Sequence, residues 1–166
     1  MNESDDAKAL LFFGGYHPAA WEQIPDLGLY SDQVITYLER QYKGLYREGE
    51  RIFTPAMVNN YVKMGLVDRP IGKKYGREQL AQLLMICLLK QATTADGLRL
   101  LLKPREGETL PELYAHFCQT QEAMLNRMNA ERPLPSAMDS AICCAAYRFL
   151  CTAALGKETE STPPTT

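Results

Sequence analysis

From residue 31 onward, apolar positions recur at three- and four-residue spacing in six stretches, the period of a helix with one buried face, and the chain reads as all-α. Val34, Ile35, Leu38, Tyr42 and Leu45 form the first stripe, opened by a Ser31 cap with Tyr30 and Ile35 as hydrophobic staple and fraying near Gly44. TPAMVNNYVKMGL, residues 54–66, is the second stretch. The third, REQLAQLLMICLLKQ, starts at Gly76 or Tyr75 with Gln79 reaching back to the cap, and is apolar over so much of its circumference that it must be central. Thr93 or Thr94 starts a short fourth helix with Leu98, Leu101 and Leu102 inward; Gly97 inside it costs on the order of 1 kcal/mol relative to Ala, so something must compensate. Thr109 and Glu112 have capping-box spacing for a fifth helix to about Asn129, its stripe running from Leu110 through Tyr114, Phe117 and Gln121 to Met128. ERPLPS then breaks the chain. The sixth stretch, SAMDSAICCAAYRFLCTAAL, is apolar nearly all round, the pattern of either a bundle's middle or half of a subunit interface.

Between and around these stretches the pattern lapses. Residues 1–30 read as an irregular strap, with Gly and Pro at turn spacing in FFGGYHP and WEQIPDLGLY and enough aromatics to lie across an apolar surface. VDRPIGKKYG is too rich in Pro, Gly and charge for a helix and reads as a small hairpin or loop. The expected organisation is a strap at 1–30, a helical domain at 31–104, a C-terminal helical pair at 105–157 and a flexible tail at 158–166, with no internal repeat.

The second stretch carries its own punctuation. Thr54 can cap, Pro55 suits the first helical position, Gly65 suits the left-handed stop, and Phe53 stands at staple spacing from Val58. At roughly 100° per residue, Met57, Val58, Tyr61 and Val62 share a sector of about 140°, while Ala56, Asn59, Asn60 and Lys63 share an opposite sector of about 100°. Tyr61 is therefore a core residue, and the face with two asparagines and a lysine lies outside.

Composition adds location and charge. With 46% apolar and 23% charged residues, the 166-residue chain has the balance of one soluble globular unit. Net charge is −2, but residues 39–105 hold 13 Lys and Arg against 6 Asp and Glu, net +7, and the remainder is net −9. A basic middle between acidic ends is what a binder of phosphate backbones needs locally, although pairing between the two regions produces the same division. Five cysteines without a C-x-x-C signal neither a disulfide framework nor a zinc site, and fit a reducing compartment. ALLFF, residues 9–13, is too short for a signal-peptide core, and Arg148 interrupts the longest later apolar run, so a cytoplasmic protein with no membrane partner is expected.

The order of helix, helix ending Y-x-x-x-G-L, basic turn with K-K-Y, and R-E-Q-L opening an apolar helix resembles the DNA-binding domain of MerR-type regulators. More closely, TPAMVNNYVKMGLVDRPIGKKYGREQLAQLLMICLLKQ, preceded by IPDLGLYSDQVITYL, resembles a bacterial family catalogued as domain of unknown function 1836, over about residues 24–102. The MerR likeness implies a winged helix-turn-helix in residues 31–104. It places Pro55–Met64 in the major groove of double-stranded DNA, with Asn59, Asn60 and Lys63 facing the bases, and Arg69–Tyr75 as a wing. Arg69, Lys73, Lys74 and Arg77 would then contact phosphates. The chain departs from that pattern in having Asn59 where MerR-like domains use Arg, and about ten residues between its first two helices.

Enzyme chemistry is poorly supported. His116 and Cys118 on one helix point about 160° apart, and neither GGYHP nor IGKKYG has the frame of a phosphate loop. Glu106, Glu108 and Glu112 are dipole partners of a helix start. Cys143, Cys144 and Cys151 read as small core residues of the last helix. No catalytic residue, cofactor or metal ligand is assigned. The reading is a transcriptional regulator acting as a homodimer through residues 109–155, because small DNA-binding modules pair on two half-sites. Its rival is a helical protein-protein interaction module of the same fold that does not touch nucleic acid.

Overall fold

The computed structural model describes residues 17–43, 51–130 and 136–160. Among them six α-helices and no strand occur: α1 Ser31–Gln41, α2 Pro55–Lys63, α3 Arg77–Leu89, α4 Ala95–Leu101, α5 Leu110–Ala130 and α6 Ala137–Glu160. The chain is thus all-α. Gly44, Leu45, the strap before residue 17 and the break at 131–135 lie outside the described residues. Helix α6 runs three residues into the expected tail, whose remainder is also outside them.

Helix α3 is central, as its nearly continuous apolar surface requires: Leu80, Ala81, Leu83, Leu84, Met85, Ile86 and Cys87 are all buried. Its start is Gly76, whose N–H donates to Gln79 Oε1 at 2.9 Å. Around it lie α1, through Val34, Leu38 and Tyr42; α2, through Val58; and the first half of α5, through Tyr114. The Tyr42 hydroxyl donates to the Leu84 carbonyl at 2.8 Å, so the polar tip of a fully buried ring is satisfied across the α1–α3 contact.

One expected cap shifts and one open choice between two residues closes. Helix α1 is capped by Tyr30 rather than Ser31, with the Tyr30 N–H donating to Gln33 Oε1 at 2.9 Å. The staple positions therefore move to Leu29 and Val34, and Tyr30 is left half exposed. Thr94, not Thr93, caps α4, its Oγ1 accepting from the Gly97 N–H at 3.4 Å. The capping box of α5 forms as expected: the Thr109 N–H donates to Glu112 Oε2 at 2.8 Å, and the Glu112 N–H to Thr109 Oγ1 at 3.4 Å.

The strap lies across the body. Trp21 packs edge-on against Tyr114, the Tyr114 hydroxyl donates to the Ala19 carbonyl at 2.8 Å, and Ile24 is buried. Helix α5 packs on α3 and the Trp21–Gln23 turn, whereas α6 meets α4. Gly97 marks that meeting: a Cβ there would come within 2.0 Å of Thr93 Oγ1 and 3.0 Å of Leu155 Cδ1, and this close approach is what compensates the helix-interior glycine. Apart from Leu155, the described side chains of α6 are exposed or half exposed. The bundle-middle reading of this helix is overturned, and with it the core role of its cysteines: Cys143 and Cys144 are exposed and Cys151 half buried. Ala137–Lys157 is long and apolar enough to cross a membrane, the single such helix among the described residues.

Candidate nucleic-acid interface

Helix α2 is built by local chemistry at both ends. Thr54 Oγ1 accepts from the Met57 N–H at 3.2 Å, Pro55 takes the first helical position, and the staple pair Phe53 and Val58 is buried. At the C-terminus Gly65 takes φ +70°, where its N–H reaches the Val62 carbonyl at 3.1 Å and the Leu66 N–H reaches the Tyr61 carbonyl at 2.9 Å. That is a Schellman stop, and the left-handed residue it needs is readily supplied by glycine. Arg99 of α4 adds a cation at this end, its guanidinium donating to the Met64 carbonyl at 3.2 Å and to Asp96 Oδ1 at 2.7 Å.

The helix divides as its wheel requires. Val58 is buried, Met57, Tyr61 and Val62 are half buried, and Tyr61 sits edge-on against Phe53 with ring centroids 5.8 Å apart. Burial holds the Tyr61 phenol above its ordinary pKa of 10, with Cys87 a smaller cause, so the ring is neutral core. On the other side Asn59, Asn60 and Lys63 are all exposed. The Asn60 amide donates to its own helix at Met64 Sδ, 3.4 Å away, a weak contact that a base edge can displace.

Residues 68–75 leave α2 as a pinned turn. The Asp68 N–H donates to Gln82 Oε1 at 2.9 Å and Gln82 Nε2 donates to Asp68 Oδ2 at 2.8 Å, while Gln79 Nε2 reaches the Arg69 carbonyl at 3.5 Å. Two glutamines three residues apart on α3 therefore hold the base of the turn. Its tip closes through reciprocal bonds between Ile71 and Lys74 at 3.1 and 3.0 Å, with Gly72 and Lys73 at φ +56° and +64°. Positive φ at both central residues is the geometry of a tight two-residue hairpin turn. The strap supplies a second layer: Leu29 and Tyr75 exchange backbone bonds, both 2.8 Å, and Lys74 Nζ stands 5.2 Å from the Tyr30 ring. A Cβ on Gly28, which has φ +43°, would be 3.1 Å from Lys74 Cβ, so the strap approaches the turn as closely as glycine allows.

Of the seven residues the sequence singles out, Asn59, Asn60, Lys63, Arg69, Lys73 and Lys74 are exposed. Arg77 stands apart. Its Nε donates to the Ile24 carbonyl at 3.1 Å and its guanidinium lies 3.8 Å from Asp26, with the side chain 26% exposed. It fastens the strap to the start of α3 rather than projecting as a free cation. Sequence reading missed this role because Ile24 lies 53 residues away, and missed Arg99 because its α2 partner is a backbone carbonyl.

A family model described as domain of unknown function (DUF1836) matches residues 19–117, a span from the strap through the first half of α5. No curated protein and no solved structure matches the chain.

Proposed function

We propose that this chain, which belongs to the DUF1836 family, is a cytoplasmic DNA-binding transcriptional regulator of MerR-like winged helix-turn-helix type, acting by binding alone without catalytic residue, cofactor or metal. Helix α2 enters the major groove. Asn59 and Asn60 read base edges, where an amide can donate and accept at once, and Lys63 meets phosphate or guanine. Arg69, Lys73 and Lys74 on the wing neutralise the flanking backbone. The observation that carries this reading is the uncovered polar face of α2, set opposite a face seated on the core by buried Val58 and half-buried Met57, Tyr61 and Val62, and followed directly by a pinned basic hairpin.

The test is duplex binding against salt. With four phosphate partners in Lys63, Arg69, Lys73 and Lys74, log affinity should fall with log salt at a slope of about −3 to −4 per protomer. Asn60→Ala should change preference at one base pair by about 1–3 kcal/mol, whereas Lys74→Ala should weaken every sequence alike. The bare apolar surface of α6 favours the rival reading, an interaction module without nucleic acid. Duplex binding absent even at low ionic strength would decide for that rival.

A further inference from the structure

Two apolar surfaces in this chain lack a partner among the described residues, one along a helix and one in a groove. One is convex: on α6, Met138, Ile142 and Phe149 are 70%, 60% and 75% exposed. At roughly 100° per residue these three fall within about 40° of one another, and about 100–140° around the helix from Leu155. The Leu155 anchor on α4 therefore leaves this seam facing away from the helix that α6 touches. The other surface is concave: a groove of about 1030 Å³ opens between Leu88 and Leu89 of α3, Leu101 of α4, and Phe117, Met124 and Met128 of α5. Its Met-lined wall is the exposed half of α5, where Met124 and Met128 project past the core.

We infer that the occupant of the groove is the α6 seam of a second copy of this chain, inserted reciprocally to give a twofold dimer. The lengths agree, since Met138 to Phe149 spans about 16 Å of helix and the α5 wall from Leu113 to Met128 about 22 Å. Area agrees as well. The three seam side chains expose roughly 350–400 Å², and a twofold axis uses one seam and one groove from each copy, for about 1,500 Å² in all, within the 1,200–2,000 Å² of stable complexes. A lipid bilayer is the poorer occupant, because Arg148 lies in the middle of the apolar span, where a cation is strongly disfavoured. The chain's own α6 is poorer still, because reaching the groove would withdraw Leu155 from its seat against Gly97. The inference is independent of the DNA reading, and association is measured without nucleic acid.

The experiment is sedimentation equilibrium of the full chain with photo-crosslinking. Wild type at tens of micromolar should give twice the 18.7 kDa chain mass. Phe149→Glu and Met124→Glu, both on exposed positions, should each weaken association at least 100-fold with unchanged helical circular dichroism, and Phe149→Lys combined with Met124→Glu should recover at least tenfold of that loss. A benzophenone amino acid at position 149, in an equal mixture of light and nitrogen-15 chains, should crosslink to residues 113–128 of the other isotope. A wild-type monomer at 100 μM would overturn the inference. So would dimers indifferent to both charges, crosslinks within one chain or from α6 to α6, or a monomer that partitions into phosphatidylcholine vesicles.

Discussion

Lys73 shows how much one residue can carry in this fold. Its φ of +64° places a lysine where glycine or asparagine is at ease, at a cost of roughly 1 kcal/mol, in a turn that Gly72 alone does not complete. Lys73→Asn separates conformation from charge. The substitution should raise stability in urea by about 0.5 kcal/mol, because Asn tolerates the left-handed region, and should make the duplex salt slope shallower by about 0.9, because one phosphate partner is gone. A rise in stability with no change in slope would remove Lys73 from the proposed interface while keeping its strained backbone. Glu112 gives a second residue-level expectation, in pH. Hydrogen bonds from the Thr109 hydroxyl and backbone N–H hold its carboxyl below the ordinary 4.5, so its contribution is present above about pH 4.5 and lost as pH falls through the lowered folded value. Thr109→Ala should therefore lower stability at pH 6 and, with less left to lose, flatten the decline seen in urea melts between pH 6 and 3.

At the scale of elements, the basic hairpin turn and the strap segment paired with it are both fastened to α3, the first by Gln79 and Gln82 and the second by Arg77. Arg77→Ala should cost about 1–2 kcal/mol, since it removes a charged donor from the Ile24 carbonyl in a partly buried place, and should leave the duplex salt slope unchanged. Amide exchange at Leu29 and Tyr75 should speed up in step. Loss of about one unit of slope at wild-type stability would return Arg77 to the phosphate contacts that the MerR likeness implies. Legibility in the sequence follows the same division between local and distant causes. The cap and stop of α2 and the cap of α5 were readable because Thr54, Pro55, Gly65, Thr109 and Glu112 act within one turn of themselves. The burial of α3 was readable because large Leu, Ile and Met side chains cover most of its circumference, whereas α6 relies largely on Ala and Cys. The cap of α1 slipped by one residue because Gln33 reaches back to the Tyr30 N–H and Ser31 already takes the first helical position, and periodicity is blind to a shift of one. The strap-to-α3 fastening was invisible because its partners are a backbone carbonyl and a residue half the domain away. The polar face of α2 was legible as outward, but its partner in solution is a matter of chemistry that no wheel contains.

At the scale of the molecule, α6 is where hydrophobic pattern and burial part company: a helix apolar nearly all round stands mostly in solvent. Pattern states that such a surface will be covered, not by what, and the expectation of a bundle interior failed because α5 goes to α3 while α6 goes to α4. A reciprocal dimer restores the balance and has a thermal signature that needs no structural probe. When two folded chains are stabilised by their contact, dilution favours unfolding, so the melting temperature must rise with concentration. For two chains of this length, with unfolding entropy of about 2.1 cal/mol/K per residue, each tenfold increase should raise the midpoint by about 2 °C. Calorimetry from 2 to 200 μM should thus show a rise of about 4 °C for wild type. Phe149→Glu should flatten the dependence while Asn60→Ala keeps it, because the first touches the seam and the second only the outer face of α2. A midpoint independent of concentration in wild type would mean that the chain unfolds as a monomer, with α6 uncovered by any copy of itself.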